Sequence, residues 1–176
     1  MTNIFVSFAR ANEESDKAII AILSKMSNED REKSRKSFYG SLSALVRHVM
    51  GGTQYFLTLF KDSVAGNAKA QKALNSSAKI TMPEGKKLGE ADWENLAAGI
   101  KAVDKAYIDF VSALSEEDLS APVKIDWFKG KPAEVPLYFM LQQLISHGTH
   151  HRGQISQILD SLKIEHDYSG INVKFL

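Results

Sequence analysis

The chain has no cysteine. That removes disulfides, thiolate metal sites and a cysteine nucleophile together, and leaves any metal to His, Asp, Glu or water. It also fits a reducing cytoplasm. Nor does one sign of charge prevail: 22 Lys and Arg stand against 21 Asp and Glu, a formal net charge of +1. Such a chain has no general positive field to draw nucleic-acid backbones or anionic membranes, and no segment reads as a basic recognition helix. Nucleic acid is not an expected partner. Long hydrophobic runs are missing as well. The N-terminal "MTNIFVSFARANEESDKAIIAIL" lacks a basic leader region, and its apolar stretches break off before reaching signal-peptide or membrane-spanning form. We expect no membrane partner and read a soluble, cytoplasmic protein. Internal repeats and low-complexity tracts are absent too.

What is present is 176 residues, 44% of them hydrophobic, enough for one domain, 1–176, whose core needs no disulfides. Four segments carry helical periodicity. The first covers roughly 3–26, with Phe8, Ser15, Ile19, Ile22 and Met26 on one stripe. The mixed-charge "NEDREKSRKS" reads as a solvated connection. A second helix, about 37–62, presents Phe38, Leu42, Leu45, Val49, Phe56 and Phe60. Residues 63–88 are poor in large apolar side chains and hold Gly, Asn, Ser and Pro. They predict a long crossing connection with a helical turn or two around Ala68–Leu74. A third helix, about 90–114, aligns Trp93, Leu96, Ile100, Val103, Tyr107, Phe110 and Leu114. Ser115 is a cap candidate for "SEEDL". "APVKIDWFKGKPAEVPL" predicts a small hairpin around Lys129-Gly130-Lys131, in which Trp127 and Phe128 either pack or line a site mouth or dimer contact. The fourth helix, about 134–162, carries Leu137, Leu141, Leu144, Gly148, His151, Ile155, Ile158 and Leu162, and irregular chain follows. The fold class is all-α, a four-helix bundle with a long crossover connection.

Of five histidines, three fall within "HGTHHRGQ", residues 147–154. On a helix His147 and His151 stand about 40° apart and one turn apart, on the side of the apolar stripe, whereas His150 points about 100° away from His151. His48, at the edge of the second helix's apolar face and followed by Gly51 and Gly52, offers a third imidazole. The two glycines leave room for a ligand or for close helix approach. Two readings stay open here: a three-nitrogen metal site, or a hydrogen-bonded histidine cluster satisfying its own buried polar atoms. Gln154 lies about 60° from His151 on the side of His147, as a partner that fixes a ring tautomer or as an ordinary polar flank. Arg152 reads as a salt-bridging anchor, Gly153 as a place for another backbone to come close, and His166 as a surface residue. No inward carboxylate pairs with the histidines in sequence.

These segments carry a resemblance. "HGTHHRGQISQIL" closely resembles the last-helix signature of the DinB-like (DinB/YfiT-like) proteins, and "SLSALVRHVMGGTQYFL" resembles their His-bearing second helix. "LSEEDLSAPV" and "LKIEHDYSGINVKFL" resemble the segment after the third helix and the usual ending. The resemblance implies a four-helix bundle with a long crossover and a divalent metal, often zinc or nickel. His48, His147 and His151 would be its ligands, with His150 outside that set; the helix angle adds Gln154 as the candidate partner behind them. It implies a homodimer. Relatives include thiol-dependent S-transferases, an isomerase using low-molecular-weight thiols, and proteins described as hydrolases. The expected activity is therefore a metal site that activates a small thiol or water for a small-molecule substrate. A metal-dependent hydrolase and a non-catalytic, stress-related metal-binding bundle are the alternatives.

Overall fold

The computed structural model describes residues 2–126 and 131–168, and the protein is mostly helical over that span. Seven α-helices and one two-stranded sheet follow in the order α1 (Thr2–Leu23), α2 (Asn28–Glu32), α3 (Leu42–Leu59), α4 (Ala68–Ser77), α5 (Glu90–Ala113), α6 (Glu116–Ser120), β1 (Pro122–Ile125), β2 (Ala133–Pro136) and α7 (Leu137–Ser161). Four are long: α1, α3, α5 and α7. Each of α1 and α3 packs against both α5 and α7, and α4 lies along α5. Their apolar faces close one core, in which Leu42, Leu96, Tyr107, Phe110, Met140 and Ile155 are fully buried.

Local chemistry sets the ends. The Ser41 hydroxyl accepts from the Ala44 N–H and starts α3. At α6 the predicted cap holds: Ser115 Oγ accepts from the Asp118 N–H while the Asp118 carboxylate accepts from the Ser115 N–H, a reciprocal box. The β1–β2 pair is antiparallel, with Val123 opposite Val135, and the Leu137 N–H bonds to the Ala121 carbonyl to bring the chain into α7. Trp127, Phe128 and the Lys129-Gly130 turn lie outside the described residues.

Several expectations are corrected. The inward stripe of α1 is Phe5, Ala9, Asn12, Asp16, Ile19 and Leu23, so Phe8, Ser15, Ile22 and Met26 flank the core and do not line it. Two polar residues hold central places on that stripe because they meet partners from other helices, described below. The charge run is a connection, but it is not solvated throughout. It contains α2, capped by Ser27, and Arg31 is 1% exposed. The Arg31 guanidinium donates to the carbonyls of Leu23 and Met26 at the end of α1, pairs with Glu90, and lies 4.8 Å over the Trp93 ring. The second long helix starts at Leu42, not near 37: Lys36 and Gly40 take positive φ (57° and 84°), the chain turns there, and Phe38 stands 93% exposed. Likewise α7 begins at Leu137, because residues 134–136 pair in β2. The crossing connection carries a ten-residue helix, α4, longer than the turn or two expected. No heavy atom lies within 4 Å of a Cβ built on Gly153, so it faces open space. His166 is largely covered, its Nδ1 3.0 Å from the Ile164 carbonyl.

Candidate metal centre

The site forms where α3 meets α7. His48 follows the buried Leu45 and Val46 of α3, and His147 and His151 lie one turn apart on the inward side of α7. Close approach of the helices needs a missing side chain. A Cβ on Gly52 would collide with His147 Cε1 and stand 2.9 Å from its Nδ1, while one on Gly51 would press Met82 at 3.1 Å. Gly52 thus makes room for an imidazole from the facing helix, and Gly51 for Met82 of the connecting chain.

His48 Nε2 is 3.1 Å from Nε2 of His147 and 3.1 Å from Nε2 of His151. The three rings are mutually inclined, with 57°, 84° and 72° between their planes, so they meet at nitrogen edges and are not stacked. Donor atoms bound at about 2.1 Å around one zinc-sized ion stand about 3.0–3.4 Å apart; both distances from His48 Nε2 fall in that interval, and the ligand atoms of all three rings lie within 4.8 Å of one another. His48, His147 and His151 form the group of ligand-type side chains able to hold a metal ion among the described residues.

Protonation supports the same use. Burial pushes the His147 imidazole down, aided by His151, His48 and His150, to about 4. Burial and then His151 lower His48 as well. Neutral rings with lone pairs result at ordinary pH. At His151, which is 5% exposed, the tautomer is set directly: Nδ1 lies 2.8 Å from Gln154 Oε1. An amide oxygen only accepts, so Nδ1 carries the proton and Nε2 presents its lone pair to the cluster. The Gln154 amide nitrogen lies 3.3 Å from Nε2 of the exposed His150, which places His150 behind Gln154 and away from the three converging nitrogens.

Arg152 acts as the anchor expected of it. Its guanidinium donates to Asn12 Oδ1, lies 3.5 Å from Asp16 Oδ1, and reaches Thr149 Oγ1 at 3.4 Å. Asn12 Nδ2 in turn donates to Asp16 and Asp104, both at 3.0 Å. The network ties α1, α5 and α7 together. Sequence reasoning missed Asn12, Asp16 and Asp104, although polar residues four apart on an apolar helical stripe were a readable sign of an inward polar pair.

Tyr39 was missed too. Its hydroxyl is 2.9 Å from His48 Nε2, and its ring stacks on His48 with centroids 4.1 Å apart. The signal was only its place, immediately before the Gly40 turn and Ser41 cap of the His-bearing helix. Beyond these residues a groove of ≈ 1150 Å³ opens to solvent, with His48 and His147 in its wall beside Phe38, Tyr55, Phe56 and Met82. The Arg47 guanidinium donates to the carbonyls of Pro83 and Gly85 and ties the connecting chain along one edge of it.

Such a donor set, three imidazoles on two helices beside an accessible groove, suits a divalent cation. No curated protein and no solved structure matches the chain. The model of the DinB family matches residues 1–162, a span that includes all three histidines, Tyr39 and Gln154. No helix among the described residues is long and apolar enough to cross a membrane. On that match over most of its length, the chain belongs to the DinB family.

Proposed function

We propose that this chain is a divalent-metal-dependent enzyme in which His48, His147 and His151 hold zinc or nickel, and in which a small thiol is activated for transfer to a small electrophile. The observation that carries this reading is the approach of His48 Nε2 to 3.1 Å from Nε2 of both His147 and His151, beside an open groove. A divalent cation held by neutral imidazoles keeps its full charge and favours the anionic form of a bound thiol or water at neutral pH.

The residues then divide the work. Gln154 holds the His151 ring in its ligating tautomer. Gly52 lets α7 bring His147 up to α3. Phe38, Tyr55, Phe56 and Met82 offer apolar and aromatic surface to the body of a small substrate. With no cysteine in the chain, the sulfur comes from a low-molecular-weight cosubstrate. No carboxylate joins the three histidines themselves among the described residues; Glu84 in the groove wall is the acidic side chain from which hydrolysis would draw a base. In this reading the four long helices form a four-helix bundle, residues 1–176 make one domain, and the cytoplasmic protein works as a homodimer.

The test is elemental analysis of untagged protein beside the variants His48→Ala, His147→Ala and His151→Ala, followed by thiol-transfer assays of the loaded chain. Near-stoichiometric zinc or nickel, lost in all three variants, and transfer that stops on chelation are expected. Wild type that neither carries nor takes up metal rejects the site. Stoichiometric metal with a strong fall in melting temperature on chelation, but no exchangeable thiol or water at the metal, would make the metal structural and the protein non-catalytic.

A further inference from the structure

We infer, building on the metal-centre reading above, that Tyr39 is a positioning residue: its hydroxyl hydrogen-bonds the small anion or thiolate that takes the coordination position left open by the three histidines. Its oxygen stands 2.9 Å from His48 Nε2, close to the 3.1 Å that separates this nitrogen from those of His147 and His151. The Tyr39 oxygen and Nε2 of His147 and His151 thus all lie within 3.1 Å of His48 Nε2. The Tyr39 ring is fixed by two of those histidines, stacked on His48 at 26° between planes and edge-on to His151 with centroids 5.3 Å apart. A tight turn holds the backbone: the Arg35 N–H bonds to the Gly40 carbonyl at 2.7 Å, and the Gly40 N–H to the Ser37 carbonyl at 3.0 Å.

The chemistry follows from the lone-pair count. In the tautomer that ligation requires, His48 Nε2 is unprotonated and the Tyr39 hydroxyl donates to it. Once that lone pair is given to a cation it accepts no hydrogen bond, and the half-buried hydroxyl needs a new acceptor. Gln154 and His150 serve the Nδ1 side of His151, away from Tyr39. The groove side is where an incoming donor atom arrives, and Tyr39 lines that groove. An anionic head group there accepts from Tyr39 while its body extends along the aromatic wall.

The experiment uses the full chain loaded with cobalt(II), with azide as probe and visible absorption as readout, in wild type and Tyr39→Phe. Phenylalanine keeps the ring stacking and removes only the hydroxyl. Azide affinity is expected to fall at least about tenfold in the variant, as for loss of a hydrogen bond to a charged group. Cobalt affinity, measured by chelator competition, should change less than about threefold over the same pair. Equal azide affinities overturn the inference, and so does a loss of cobalt affinity as large as the loss of azide affinity, which would make Tyr39 a support for the histidines. Wild type that holds cobalt without binding azide removes Tyr39's role and leaves the metal site standing. Wild type that takes no cobalt removes both.

Discussion

At the scale of single residues, the candidate site depends on atoms that set the position or tautomer of an imidazole. Gln154→Ala removes the acceptor at His151 Nδ1, so the ring loses its tautomeric preference. Metal affinity is expected to fall about 10–100-fold, read by competition with a chromophoric chelator. An unchanged affinity would return Gln154 to an ordinary polar flank. Gly52→Ala acts on the other ring. The added methyl displaces His147, and a loss of affinity of at least about tenfold is expected while far-UV circular dichroism stays unchanged, since alanine is the better helix former. The inward side of His147 and His151, the place of His48 at the edge of its own helix's apolar face and the direction of Gln154 were legible because a helix turns about 100° per residue whatever surrounds it. The bond from Gln154 to His151 was not, because periodicity gives a direction and no rotamer. Tyr39 was illegible for a further reason: it stands in a turn outside any helix, where no period locates a side chain.

At the scale of elements, the centres of the helices follow from the apolar period, and their ends follow from local hydrogen bonds that the period does not see. The third helix came through almost unchanged, since Gly89 and the Asp92 carboxylate begin it and Leu114 ends it close to where its stripe stops. The second was misjudged at its start, because Phe38 fits the stripe by number but lies before the Ser41 cap. The charge run was misread because mixed charges look solvated one by one. Arg31 escapes that logic by satisfying two carbonyls at the end of α1 and covering Trp93. Arg31→Ala takes its donor from the Met26 carbonyl, leaves the Leu23 carbonyl with the Met26 N–H alone, and opens a gap beneath the indole, so a loss of about 2–4 kcal/mol is expected in urea unfolding. Glu90→Gln removes only the outer, solvent-facing partner and should cost less than about 1 kcal/mol. Equal costs for the two would mean that the ion pair, and not the carbonyl contacts, holds α2 in place.

At the scale of the whole molecule, the long helices are joined by apolar burial and by one polar knot. Asp104 is 3% exposed, and burial pushes its carboxyl well above the usual carboxylate range. Asp16 and Glu13 push the same way, and Arg152 opposes them. Asp16 is raised as well, by burial against the attraction of Arg152. A carboxyl whose folded value lies above its unfolded one contributes most to stability below the unfolded value, and that contribution is lost as pH rises through the folded value. Asp104→Asn keeps an oxygen for Asn12 and removes the titration. The variant is therefore expected to gain stability over wild type progressively as pH rises above the ordinary carboxylate range, read from urea midpoints across pH 4–8. A constant difference between the two proteins would show that Asp104 does not titrate in that interval.

By itself the sequence determined the helical class, the approximate extent of the long helices, and the inward direction of His147 and His151. All of these rest on short-range periodicity, which each segment carries without reference to the others. Only the tertiary structure decided that α3 lies against α7, bringing His48 within 3.1 Å of histidines about a hundred positions away. It alone placed Asn12, Asp16, Asp104 and Arg152 in one buried network, and Tyr39 over His48. The physical reason is that a polar side chain is stable inside a protein only when particular partners meet it, and those partners come from elements far apart in the chain.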